Sequence, residues 1–178
     1  AEIWEVSYRP DPPATFAGFV HSHEAGMVEG LAEKGPFPVR RTPLAEPLDD
    51  FFFDPSYDNL IGSSRDGGRG VVVNLDVRRE IAELPLPGLP HLGSGIAFTF
   101  AGRRVLATPH LKEAALSVVD LEDWRVIRRI PTLGPGFFMR GHEASPFAWI
   151  DVSLGAERDK LQVLDERTLE IVATLQPA

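Results

Sequence analysis

Between residues 48 and 176 one layout of apolar and polar positions recurs: an apolar run, an Asp, a short polar turn, then a second apolar run. The three copies are Val71-Val72-Val73-Asn74-Leu75-Asp76, Leu116-Ser117-Val118-Val119-Asp120 and Leu161-Gln162-Val163-Leu164-Asp165, with return runs at Ile81–Leu84, Val126–Ile130 and Ile171–Leu175. The three Asp residues lie 44 and 45 positions apart, within the range of propeller blade repeats. A short carboxylate in a hairpin turn accepts backbone N–H groups and tolerates the dihedrals found there, so these Asp residues read as structural.

Earlier runs fall at matching offsets. Asn59–Ser64, Arg103–Thr108 and Phe147–Val152 predict second strands, and Leu48–Phe53, Gly95–Phe100 and Gly136–Met139 predict innermost ones. The expected fold is therefore all-β: about three four-stranded β-propeller blades at 48–85, 93–131 and 136–176. A parallel α/β sheet is a poor competitor, because no long 3.6-residue period separates the strands.

Residues 1–47 do not follow the repeat. Ile3–Tyr8 predicts the last strand of a preceding blade. The remainder reads as a Pro-rich insertion loop, with seven Pro residues between Arg9 and Pro47 and one helical candidate, the Gly-interrupted Glu24–Glu33. Propellers close with typically about four to eight blades, which removes exposed sheet edges. Three blades cannot close, so the chain reads as a fragment whose remaining blades belong to the same protein.

Composition narrows the function. Sixteen Gly and sixteen Pro are spread along 178 residues, as suits many short strands joined by turns. The net charge of −8 without any extended basic run argues against nucleic-acid binding. With no Cys, this segment holds no disulfide, thiolate metal site, cysteine nucleophile or c-type haem attachment. No apolar run reaches the ~20 residues that span a bilayer. The N-terminus lacks signal-peptide character and reads as the middle of a longer chain. Hydrolase elbows, phosphate loops and dinucleotide fingerprints are absent.

Histidines near the inner strands are the remaining candidates. His91 and His142 stand 51 residues apart, about one blade. That spacing predicts equivalent positions facing a common centre, where mouth loops form ligand sites. A histidine taken singly is more often a surface or hydrogen-bonded structural residue, and the flanking Gly residues are what favour ligand contact here. His110 sits in Ala107-Thr108-Pro109-His110-Leu111. His21 and His23 form a loop pair too sparse for a metal site. Asp49 and Asp50 adjoin on a strand and so point to opposite faces: one faces the cavity and the other bonds locally. Arg65, in the turn Ser64–Gly70, is placed to meet ligand carboxylates or to lie solvated. Phe137, Phe138 and Phe51–Phe53 read mostly as core, with any inward-facing member able to pack on a flat macrocycle.

Taken in order, Leu48-Asp49-Asp50-Phe51-Phe52-Phe53-Asp54, Leu89-Pro90-His91-Leu92-Gly93-Ser94-Gly95, Ala107-Thr108-Pro109-His110-Leu111 and Phe138-Met139-Arg140-Gly141-His142-Glu143 resemble the haem d1 propellers of the cytochrome cd1 nitrite reductase family. The likeness runs from about Pro43 to the C-terminus, and it is strongest to members that act in haem d1 biosynthesis. It implies an eight-bladed propeller with haem d1, or its iron tetrapyrrole precursor, in the central cavity. His91 matches the histidine of a Thr-Pro-His-Pro-Gly-Arg-Gly motif on the distal side. Asp49 stands where a second motif, Phe-Leu-His-Asp-Gly-Gly, has its histidine, and Ser94 replaces the Arg that helps hold a haem carboxylate. Phe138 and His142 match a pocket-lining Phe-Ile-Lys-Thr-His stretch.

These departures argue against nitrite reduction, because protonating bound nitrite with two imidazoles needs both. The resemblance implies instead a periplasmic protein in late modification of tetrapyrrole side chains. His91 and Asp49 would move protons, while His91, His142, Phe138, Ser94, His110, Arg140 and Arg65 would contact the cofactor. The proximal iron ligand is expected outside these motifs. The partners implied are nitrite reductase or other haem d1 maturation proteins. Two alternatives stay open: a non-catalytic haem d1 carrier, and a cofactor-free interaction propeller.

Overall fold

The computed structural model describes residues 2–6, 18–20, 39–65 and 68–177. Within them the chain forms fifteen strands in four antiparallel sheets. The first sheet holds β1 (Glu2–Val6) between β2 (Gly18–Val20) and β3 (Val39–Pro43). Three sheets of four follow. The first blade is β4 (Asp50–Phe53), β5 (Asn59–Ser63), β6 (Gly70–Asn74) and β7 (Arg79–Leu84). The second is β8 (Ile96–Phe100), β9 (Arg103–Pro109), β10 (Ala115–Asp120) and β11 (Arg125–Pro131). The third is β12 (Met139–Arg140), β13 (Phe147–Asp151), β14 (Leu161–Asp165) and β15 (Glu170–Leu175). Each blade is a meander, every strand paired with its sequence neighbour, as expected for a propeller.

Two expectations change. β2 and β3 fall within the stretch read as loop. Val39-Arg40-Arg41-Thr42-Pro43 carries little apolar periodicity, and its strand state comes from antiparallel pairing with β1 along its whole length. The candidate helix Glu24–Glu33 lies outside the described residues.

The second change concerns the repeat. In the first blade the turn residue is Asn74, not Asp76. Asn74 Oδ1 accepts the Val77 N–H at 3.0 Å; Asp120 Oδ1 accepts from Glu122 and Asp123, and Asp165 Oδ1 from Arg167. The register breaks at Val72/Val73, Val118/Val119 and Val163/Leu164, one bulge per blade at the same place. Arg78, Trp124 and Leu169 close the three turns with φ of 55°, 51° and 57°. The left-handed residues turn the chain into the return strand, and the extra residue of each bulge, Ile81, Ile127 and Val172, follows three positions later. An amide oxygen accepts an N–H as a carboxylate does, whereas Asp76 is exposed in the turn.

Burial explains why the middle strands read as continuous apolar runs. β5, β6, β9 and β10 are covered on both faces. Between the first and second blades lie Ile61, Val72, Leu84, Leu92, Leu106 and Val119, and between the second and third lie Val105, Leu116, Met139, Ile150 and Leu164. Each such side chain contributes about 1.5–3 kcal/mol by leaving water. Trp149 takes the register position of Ile61 and Ala107. Those two are fully buried against the next blade, while Trp149 is 46% exposed.

Candidate functional site

Consecutive blades meet closely around their first strands, where the main cluster forms. Ahead of β8, Pro90 bridges to His110 and the His91 N–H donates to the Pro109 carbonyl at 2.7 Å. A 3-10 turn, Leu92–Ser94, then leads into the strand. His91 is thereby aimed at both neighbouring blades.

Toward the third blade, His91 Nδ1 hydrogen-bonds the Phe137 carbonyl. A carbonyl only accepts, so Nδ1 carries the proton and Nε2 is left as the ring's titratable position. Toward the first blade, Nε2 lies 3.9 Å from Asp50 Oδ2. Both side chains are about four-fifths buried. Asp50 is fixed in turn: its Oδ1 accepts from the Phe51 N–H at 2.8 Å and the Gly93 N–H at 3.1 Å. Gly93 permits this approach, since a Cβ there would sit 3.0 Å from that oxygen. Burial pushes the Asp50 carboxyl above its ordinary range, and the Gly93 and Phe51 N–H groups and the nearby imidazole oppose that rise.

Beside His91 stand Phe137, with ring centroids 4.3 Å apart, and Phe138, at 6.2 Å. They read from the sequence as mostly core, yet they are 41% and 52% exposed. Asp151 Oδ1 holds this segment by accepting both N–H groups, at 2.7 and 2.8 Å.

Asp49 turns the other way, its Oδ2 accepting the Arg65 N–H at 2.7 Å. Asp49 is the carboxylate expected to act beside His91; the one the fold brings to His91 is its neighbour Asp50. Arg65 is exposed, with its Nε 3.9 Å from Asp49. Ser94 is buried, its hydroxyl donating to the Phe137 carbonyl at 2.8 Å. His110 is wholly buried inside the second blade, with Nε2 2.8 Å from Ser117 Oγ, and presents no surface to a ligand. Its Nδ1 makes no hydrogen bond of good geometry, although the Pro87 backbone lies close enough to favour a proton there. Burial and, secondarily, Arg129 push its pKa down to about 4.

His91 and His142 do not take equivalent positions. His91 precedes its blade's first strand, whereas His142 follows β12, exposed in a turn where its Nδ1 accepts the Ala144 N–H. Ile96 pairs with Ala107 and Arg140 with Trp149, so matching positions in the two blades lie 44 residues apart (140 − 96). At 51 residues His142 falls beyond the match of His91 and past the two-residue β12. Arg140, on β12, donates to the Met139 carbonyl at 2.8 Å. His21 and His23 lie outside the described residues. The sequence offers Phe137 and Phe138 as rings able to pack on a flat macrocycle if they face inward; Asp151, which holds both by their N–H groups, carries no local signal.

Two half-exposed rings thus stand beside an imidazole that is about four-fifths buried, with Asp50 on its other side. Among the described residues no three His, Cys, Asp or Glu side chains converge on a metal position. No helix among the described residues is long and apolar enough to cross a membrane.

Residues 19–178 match the family described as the Cytochrome D1 heme domain. The chain is 46% identical over 143 residues to the dihydro-heme d1 dehydrogenase of Pseudomonas aeruginosa, covering 80% of this chain and 29% of that protein. It thus spans less than a third of this relative's length. Among solved structures, dihydro-heme d1 dehydrogenase NirN in complex with DHE superposes with a TM-score of 0.77 at 46% identity, covering 80% of this chain and 31% of that one. The hydrazine synthase of Kuenenia stuttgartiensis superposes at 0.60 with 16% identity over 77% of this chain and 38% of that one, a likeness of fold alone. By family match and by identity, the chain belongs to the cytochrome d1 haem-domain family.

Proposed function

We propose that this chain forms part of the wall of a tetrapyrrole-binding propeller cavity and takes part in late side-chain modification of haem d1, by dehydrogenating a dihydro precursor. The observation that carries this reading is the pair of exposed rings, Phe137 and Phe138, packed beside the mostly buried His91 in a chain 46% identical to a dihydro-heme d1 dehydrogenase. Bound tetrapyrrole would supply the reacting side chain and the electron chemistry of its iron. Phe137 and Phe138 pack on the macrocycle and exclude water. His91, with Nδ1–H on the Phe137 carbonyl, offers Nε2 as the site that takes up a proton. Asp49, bonded to Arg65, has a structural task. The setting is periplasmic, and the product passes to nitrite reductase or to another maturation protein.

Absorption spectroscopy tests the binding. Adding dihydro-haem d1 to the full-length protein is expected to shift the Soret band, with Phe137→Ala weakening the shift. A spectrum equal to that of the free tetrapyrrole would contradict the proposal and favour a cofactor-free interaction propeller.

A further inference from the structure

We infer that Asp50 is the charge partner of His91, its carboxylate balancing the imidazolium formed when Nε2 takes a proton from a bound ligand. This deepens the function proposed above and rests on it. Because the Phe137 carbonyl holds Nδ1–H, the ring gains a proton at Nε2 alone. The 3.9 Å from Nε2 to Asp50 Oδ2 is too long for a direct hydrogen bond, yet between two mostly buried side chains it is well within the reach of charge–charge attraction.

The surroundings single out this pair. From the third blade His91 meets the Phe137 carbonyl and the two Phe rings. From its own turn it meets Ser94, whose hydroxyl shares that carbonyl. From the first blade it meets Asp50, the one charged group paired with it among the described residues. The carboxylate cannot swing away without releasing the Phe51 and Gly93 N–H groups. Dehydrogenation would release two protons and two electrons. Nε2 takes one proton, the ring becoming +1 opposite a carboxylate of −1 with Nδ1–H staying where it was. The second proton goes to solvent, and the electrons would leave through the tetrapyrrole iron to an external one-electron acceptor such as a second haem. Asp50 thus acts through His91, as a positioning residue in charge rather than in shape.

Asp50→Asn in the full-length protein isolates the charge, because the amide oxygen can still accept from Phe51 and Gly93. The expected result is dihydro-haem d1 affinity within about twofold of wild type, turnover down about ten- to a hundredfold, and partial recovery in Asp50→Glu. A second readout needs no activity. Following the Asp50 carboxyl by 13C NMR, His91→Gln is expected to move its titration to higher pH, since the imidazolium favours the ionised carboxylate. Wild-type turnover in Asp50→Asn, or an Asp50 titration unmoved by His91→Gln, would overturn the inference. Failure of the wild-type protein to bind the tetrapyrrole would overturn the proposed function instead, and the titration would still decide whether the pair is coupled.

Discussion

Ser94 reaches across from the second blade to the third: its hydroxyl donates to the Phe137 carbonyl at 2.8 Å, the same carbonyl that receives His91 Nδ1–H. One acceptor therefore ties the turn before β8 to the aromatic segment before β12, and the small buried side chain fits where an Arg would not. Ser94→Ala is expected to lower stability by about 1 kcal/mol, read from the denaturant midpoint, and to leave tetrapyrrole affinity nearly unchanged. A large loss of affinity with normal stability would instead make Ser94 a direct ligand contact.

The turn repeat gives a second prediction. Asn74 occupies the position of Asp120 and Asp165, bonding the Val77 N–H and, through its amide, Asn59 Oδ1 at 2.9 Å. Asn74→Ala is expected to cost about 1–2 kcal/mol, and Asp76→Ala to stay within about 0.5 kcal/mol. Paired urea titrations check the order of the two.

The same contrast shows what the residues reveal and what they conceal. Strands with both faces covered announce themselves as apolar runs, so Val71–Val73, Leu116–Val119 and Val163–Leu164 locate the blades directly. Asn74 escapes a search for identical Asp residues because two different side chains present the same acceptor. Strand alternation shows that Asp49 and Asp50 diverge, but the choice of the inward one depends on where the next blade brings Gly93. β3 is held by pairing with β1, a long-range contact with no local signature. The spacing of His91 and His142 misleads because its 51 residues exceed the 44 (140 − 96) that separate matching positions in these two blades.

His110 predicts an acid-sensitive fold. Its pKa is pushed down to about 4 by burial, from an ordinary 6.5. The unfolded chain therefore binds a proton more readily than the folded one between those values. Stability from this group is complete above about pH 6.5 and is lost as pH falls toward 4, by about 3 kcal/mol in all. In His110→Gln the loss across that window is expected to be smaller by about this amount, measured by urea unfolding at pH 7 and pH 4.5.

Phe138 is half exposed, so Phe138→Ala is expected to change stability by less than about 0.5 kcal/mol. Removing a ring that packs on the tetrapyrrole is expected to weaken binding about tenfold, seen in a Soret titration. Unchanged binding would place the macrocycle elsewhere.

The central claim is that His91 handles a proton on a tetrapyrrole bound in this cavity. Its most direct test is single-turnover conversion of dihydro-haem d1 by the full-length protein, comparing wild type with His91→Gln at matched saturation. The expected result is retained binding with conversion slowed about a hundredfold or more. Binding retained with conversion at the wild-type rate would contradict it.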